Sequence, residues 1–585
     1  MEGMSGERAA GSGAGRSPRI AYFTMEIGLR SDVPTYSGGL GVLAGDTVRA
    51  AADLGLPYAG VSLVHRQGYF RQALDGSGVQ TESPAPWDPS QELTEVQARV
   101  RVTLEGREVA IRAWEYRVRG VMGAEVPVYL LDTDLEENEA GDRRITDHLY
   151  GGDSRYRLLQ EAVLGLGGAR LLRELGFQEL HTFHLNEGHC AFVPLHLLEE
   201  EEALGPGTDV GSSGLEEGVE AVRRRVTFTT HTPVPAGHDR FPLKLVREVL
   251  GDERAGRLEA LGTHEDGSLN MTHLALRFSR FTNGVAMRHG QVSREMFPDH
   301  DIHAITNGVH AVTWTGDGFR DLFDQRVPGW REDPFLLRQA VAFPLEELRR
   351  AHRRSKERLL DEVERRSGRR LSADVFTVGF ARRATPYKRA DLLISRIERL
   401  REVVRRAGGV QVLFSGKAHP RDQTGKEMIR KIVEAGAELG EEVPVVYLED
   451  YDMELGRLLT SGVDLWLNNP RKPLEASGTS GMKAALNGVP CLSVLDGWWV
   501  EGHLEGITGW SIDEDWRTPP DPEGEAEALL EKLEGTILPL YYGDPDGWAR
   551  VMRAAIACNG SYFHTRRMMV EYLALASGEG GPARD

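Results

Sequence analysis

The chain has 585 residues, 40% hydrophobic and 27% charged, which excludes a fibrous or wholly disordered protein. Its length is several times that of a single-core domain, so two or more domains are expected. Lys plus Arg total 70 against 89 for Asp plus Glu; the net charge of -19 repels nucleic acid and anionic lipid, and an anionic ligand needs a locally basic pocket.

Cys190, Cys491 and Cys558 are far apart and form no C-x-x-C pair, so neither a disulfide framework nor a thiolate zinc site is expected. A reducing cytoplasm fits. Met1 to Ser17 is rich in Gly, Ser and Ala without the apolar core of a secretory signal, and no later apolar run approaches a membrane span.

Residues 1–17 and 578–585 read as disordered tails. Arg19 to Thr24 reads as a buried strand, Ser37-Gly38-Gly39-Leu40-Gly41 as a turn, Val42 to Leu54 as a helix and Leu56 to Leu63 as a strand, which together imply a parallel βαβ unit. Glu199 to Gly218, acidic and rich in Gly and Ser, reads as a surface insertion before a strand at Arg225 to Thr230. Apolar runs at Val375 to Phe380, Val410 to Phe414, Val443 to Leu448 and Val463 to Leu467 are spaced for crossover helices. The expected fold is α/β, with two Rossmann-like doubly wound domains facing a central cleft where the carboxyl ends of strands meet.

The segment Glu475 to Gly488 follows one of these strands and opens a helix. Ser477 to Gly481 therefore offers amides and hydroxyls at a helix start, where a phosphate binds well, unless the segment is a plain solvated N-cap. In the first turn, Lys483 meets both burial and the positive end of the dipole, which favour a neutral, nucleophilic amine. Arg382, Arg383, Lys388 and Arg389 form a basic island after the strand at Val375 to Phe380. His181, His184 and His189 match no zinc spacing, and no metal is expected. Trp498 and Trp499, on one strand, would point to opposite faces, so at most one serves as a sugar platform, and core packing is the equal alternative.

These blocks, in order, resemble the α-glucan (glycogen and maltodextrin) phosphorylases, in particular their short bacterial and archaeal branch. The resemblance runs from Ser37 to Gly41 through Leu185 to His189, Thr230 to Pro235, Thr306 to His310, Arg382-Arg383, Tyr387 to Arg389, Gly416 to Pro420 and Glu475 to Glu501, about residues 20 to 500. It implies a GT-B type glycosyltransferase architecture, with domains at 18–307 and 308–577 and the last helices packing back on the first domain. It implies pyridoxal 5'-phosphate on Lys483, its phosphate held by Thr479, Ser480, Gly481, Tyr451 and Arg382. Arg383, Lys388 and the Gly38-Gly39 loop would hold inorganic phosphate. His231, Glu187, Asn307, Glu475, Ser477 and Gly478 would face the glucan. The implied reaction is reversible phosphorolysis of an α-1,4-glucan to glucose 1-phosphate with retention, by a cytoplasmic homodimer without allosteric control. The substrate's phosphate, against the cofactor's, would serve as acid and then base. Rival readings are a nucleotide-sugar glucan synthase, which carries glutamate where this chain has Lys483, and a non-catalytic glucan-binding homologue.

Overall fold

The computed structural model describes residues 17–204, 212–517 and 521–576. The expected tails, except Ser17, lie outside them.

Two doubly wound sheets carry the chain. In the first, strands Ile302–Ala304, Phe281–Gly284, Val226–Thr229, Thr182–Asn186, Ile20–Phe23, Tyr58–Leu63 and Glu125–Asp132 lie side by side and parallel. Arg107–Arg119, Thr94–Glu95 and Val100–Leu104 complete it antiparallel. Helices cover both faces of the parallel part, so its strands are buried almost continuously, as Tyr58–Leu63 is at every position. The chain leaves Ile20–Phe23 for Tyr58–Leu63 on one side and returns to its other side at Thr182–Asn186, which makes Ile20–Phe23 a topological switch point.

The second sheet is wholly parallel, in the order Val445–Leu448, Val410–Ser415, Phe376–Ala381, Leu465–Asn468, Cys491–Ser493, Gly509–Ser511. Numbered along the chain this is the order 3-2-1-4-5-6, with its switch point between Phe376–Ala381 and Leu465–Asn468. The α/β reading from the sequence holds for both halves.

One expectation is refined. The stretch Glu199 to Gly218, read as a surface insertion on glycine and serine content, is helical at both ends: helix Phe192–Leu204 runs into it and helix Ser212–Arg223 begins within it, the latter with a clear amphipathic face. Glycine and serine set the reading, but alternating Glu, Ala, Val and Leu residues support helix on either side. Residues 205–211 lie outside the described residues.

The two sheets are tied by chain that crosses between them. The final helix, Thr565–Ala576, packs Met568, Met569 and Tyr572 against the first helix, Gly39–Asp53, and the first sheet. The Tyr572 hydroxyl lies 3.1 Å from Thr229 Oγ1 and accepts from Asn283 Nδ2 at 3.0 Å. On the opposite side, the hairpin Arg71–Leu74/Gln80–Ser83 reaches the second sheet: Gln72 and Gln80 donate to the carbonyls of Gly416 and Ala418, each at 2.9 Å. Removing the Tyr572 hydroxyl leaves two buried polar groups short of a partner. Tyr572→Phe is therefore expected to lower stability by about 1–3 kcal/mol, read as an earlier midpoint in urea unfolding.

Candidate active site

Both sheets turn the carboxyl ends of their strands toward one cleft of about 1210 Å³. On the second sheet, strand Phe376–Ala381 ends in Arg382-Arg383, and strand Leu465–Asn468 leads into the loop that carries Glu475 to Thr479. Across the switch point these loops meet through one carboxylate. Arg382 Nη2 donates to Glu475 Oε2 at 2.7 Å and Lys388 Nζ to the same oxygen at 2.5 Å, all three side chains being buried. Arg382 Nη1 also bonds Asn468 Oδ1, and the Glu475 amide donates to Asp496 Oδ2 at 2.9 Å. Burial alone would raise the pKa of Glu475, but the charges of Arg382 and Lys388 outweigh it and hold the carboxyl below its ordinary range. Asp496, buried and beside Glu475, is pushed up to about 7.

This arrangement redistributes the expected basic island. Lys388, read as a phosphate ligand, is neutralised by Glu475. Arg389 turns away from the cleft to Glu525 and to the carbonyls of Asn469 and Pro470. Arg383 is left without a carboxylate partner among the described residues and reaches the first sheet, donating to Ser37 Oγ at 3.3 Å. Glu475 keeps Oε1, beside Gly478, free of hydrogen bonds among the described residues.

Lys483 lies one turn into helix Ser480–Leu486, buried, with Thr479 at the N-cap. Its Nζ stands 3.4 Å from the centre of the Trp314 ring and makes no ion pair among the described residues. Burial lowers its pKa to about 8. Trp314 is fixed in turn, donating Nε1–H to Asp46 Oδ2 at 2.7 Å; that oxygen also accepts the His310 amide at 3.1 Å. Gly481 fits because a Cβ there would sit 2.9 Å from the Trp498 ring. Ser480 Oγ accepts from Trp466 Nε1 at 3.1 Å, and Tyr451, its phenol kept protonated by burial, lines the cleft.

The facing wall comes from the first sheet. Gly38 and Gly39 open helix Gly39–Asp53, and a Cβ on Gly38 would meet Arg383 Nη2 at 2.9 Å. Glu187 takes φ +81°, a costly backbone for a non-glycine residue of the kind held at functional sites. Its carboxylate accepts from the amides of Gly188 at 2.9 Å and His231 at 2.7 Å and from Thr232 Oγ1 at 2.9 Å, yet burial outweighs these bonds and raises its pKa. His231 donates Nε2–H to Asn186 Oδ1 at 2.7 Å, and burial lowers its pKa to about 3, so the ring is neutral at pH 7. Five buried atoms of cleft residues lack partners among the described residues: Arg157 Nη1, His189 Nε2, Asn307 Oδ1, Thr385 Oγ1 and Ser477 Oγ. Such groups cost free energy unless a ligand meets them.

Two sequence readings change here. Trp498 and Trp499 are not on a strand but precede and open the short helix Trp499–Gly502; both are fully buried, Trp498 against Phe563 and Trp499 against His503, and neither lines the cleft. The three histidines do not form one cluster: His181 is exposed, His184 bonds Thr229 within the sheet at 2.8 Å, and His189 lies at the cleft. Among the described residues no group of His, Cys, Asp or Glu is arranged to hold a metal. Sequence reasoning missed Glu26, Tyr150, Asp46 and Trp314. The only signal for Asp46 was an acid within the apolar first half of its helix.

The sequence profile of the carbohydrate phosphorylases matches residues 238–505. A maltodextrin phosphorylase of Thermococcus litoralis is 38% identical over 95% of this chain and 70% of its own length. Glycogen phosphorylases of Mycobacterium tuberculosis and Aquifex aeolicus are 37% and 36% identical over 95% of this chain, and over 70% and 85% of theirs. The chain belongs to the carbohydrate phosphorylase family. Its two facing doubly wound sheets are the GT-B type architecture.

Replacing Glu475 by Gln strands two buried cations. Glu475→Gln is expected to cost about 3–5 kcal/mol in denaturant titrations near neutral pH. Because the native pKa of Glu475 is depressed, its contribution is complete above the unfolded carboxylate value of about 4.3 and is lost as pH falls through the native value. Below that pH the variant and the parent should converge.

Proposed function

We propose that the protein is an α-1,4-glucan phosphorylase, transferring a terminal glucosyl unit from glycogen, starch or maltodextrin to inorganic phosphate, with retention, to give α-glucose 1-phosphate. The observation that carries this reading is Lys483, a buried amine without an ion-pair partner among the described residues, set at the start of a helix in a cleft that faces Arg383 and a glycine turn. The names of the relatives support it.

The residues present fit pyridoxal phosphate. A pKa of about 8 leaves roughly one amine in ten neutral at pH 7, against fewer than one in a thousand for an exposed lysine. The amides and hydroxyls of Thr479, Ser480 and Gly481, with Tyr451, would take its phosphate. When bound, the group supplies a second phosphate that shares a proton with the substrate phosphate. Arg382 and Lys388 against Glu475 leave one net positive charge in the cleft, and Arg383 adds another, charge that would favour bound phosphate.

On the sugar side, Glu475 Oε1, Ser477 Oγ and Asn307 Oδ1 are polar atoms available to hydroxyls. His231 is neutral, so it orients and polarises rather than donating a proton. Glu187, holding three donors, is occupied in fixing the His231 segment. The proton for the departing glycosidic oxygen therefore comes from the bound inorganic phosphate, which Arg383 and the Gly38-Gly39 turn orient. A cleft of about 1210 Å³ is wider than a monosaccharide needs and suits a chain of sugars. Lobes at 18–307 and 308–577 closing on it would exclude water, the competing acceptor. The reading includes a cytoplasmic homodimer; three free thiols fit a reducing compartment.

Purified protein loaded with pyridoxal phosphate should release glucose 1-phosphate from maltodextrin only when inorganic phosphate is present; free glucose as the product refutes the reading. Lys483→Ala should lose turnover and cofactor together. In protein stripped of the cofactor, the rate of its uptake, followed by absorbance, should rise with pH and level off above about 8, as the amine deprotonates. A flat profile from pH 6 to 9 contradicts the role of Lys483.

A further inference from the structure

The glycine turn expected to receive phosphate is itself held by a carboxylate. Glu26, buried just beyond strand Ile20–Phe23 at the switch point, places Oε2 against the Ser37 amide at 2.6 Å, the Ser37 hydroxyl at 3.1 Å and the Gly38 amide at 3.2 Å. Its other oxygen accepts from the Tyr150 hydroxyl at 2.9 Å. Gly41 is cut to fit: a Cβ there would lie 2.7 Å from Glu26 Oε2. Two amides of the turn are therefore spent on Glu26, and Gly39 is the next amide along the turn.

Ser37 then links this anchor to the cation. Its hydroxyl has one hydrogen, donated to Glu26, so the lone pairs of Oγ receive Arg383 Nη2 at 3.3 Å. Arg383 has no carboxylate of its own among the described residues. One buried carboxylate thus sets both the path of the turn and, through a hydroxyl, the position of the guanidinium that faces it.

We infer that Glu26 is a positioning residue for inorganic phosphate, acting through Ser37 on Arg383 and on the glycine turn. The inference deepens the phosphorylase reading and rests on it for the identity of the anion. It gives a reason for a negative group beneath an anion site. Placed behind the turn, Glu26 orders the donors, and a polar hydroxyl separates its charge from Arg383.

The test measures inorganic phosphate binding to the loaded enzyme by calorimetry, together with separate KM values for phosphate and maltodextrin. Glu26→Ala is expected to weaken phosphate binding and raise its KM roughly tenfold, the scale of one charge-assisted hydrogen bond, with the maltodextrin KM changed less than about twofold. Glu26→Gln, which keeps an acceptor for the amides, should restore part of the loss. Ser37→Ala should move phosphate alone, and should add little to Glu26→Ala because the two act in one chain. Parent-like phosphate binding in Glu26→Ala overturns the inference, as does an equal rise in both KM values. Should Glu26→Ala fail to fold, unchanged phosphate binding in both Glu26→Gln and Ser37→Ala overturns it instead. A parent protein that binds phosphate through Glu26 but forms no glucose 1-phosphate sinks the phosphorylase reading and keeps the inference. One that binds no phosphate sinks both.

Discussion

Burying the amine of Lys483 on the face of Trp314, with no carboxylate to pair with it among the described residues, is the constraint around which the cleft is arranged. Desolvation of an unpaired ammonium is costly, and the chain meets that cost by letting the amine deprotonate near pH 8. The indole supplies part of the missing stabilisation through its electron-rich face while leaving the nitrogen lone pair uncommitted. A carboxylate at the same place would stabilise the fold more and would hold the amine protonated. The nearest acid, Asp46, is instead committed to the Trp314 indole and the His310 amide, one step removed.

Asp46 also shows how the two lobes share the site. It sits on the first helix, yet the tryptophan it orients belongs to the segment after Asn307, and the lysine above that ring opens a helix of the second sheet. A similar chain crosses the opposite wall: His231 donates to Asn186, Asn186 to Thr24, and Thr24 to the Glu26 carbonyl. Three neighbouring strand ends of the first sheet are thereby fixed relative to one another by neutral bonds, each of modest net value but costly to leave unmade.

Much of this was legible in the sequence. The alternation of apolar runs and helices announced both sheets, and the Ser/Gly-rich run before Lys483 announced a helix start, because each depends on local composition and spacing. What could not be read were pairings between distant segments. Glu475 lies 93 residues from Arg382 and 87 from Lys388, so its role as their shared counter-ion appears only when the switch point brings the loops together. Glu26 precedes the glycine turn by 11 residues, in a stretch that shows no motif. For Trp498 and Trp499 only the strand was misplaced: it ends at Ser493, the Asp496-Gly497 turn follows, and both indoles enter the core from the start of a short helix, as the core-packing alternative had it.

The charge balance makes a last connection. The net charge of -19 disfavours anions near the surface, an effect that salt screens beyond the Debye length of about 8 Å, so binding of an anion would depend on what the cleft presents at close range. Of the cations at the end of strand Phe376–Ala381 that line it, Arg382 and Lys388 are tied to Glu475. That pairing holds Arg382 and Lys388 at fixed positions through long buried side chains, which unpaired would repel each other and disperse. Arg383, without a carboxylate partner among the described residues, reaches across to Ser37 of the first lobe, as Lys417 does to the Phe70 carbonyl. The glycine turn and the guanidinium thus come from different lobes, and their juxtaposition exists only where both walls of the cleft meet.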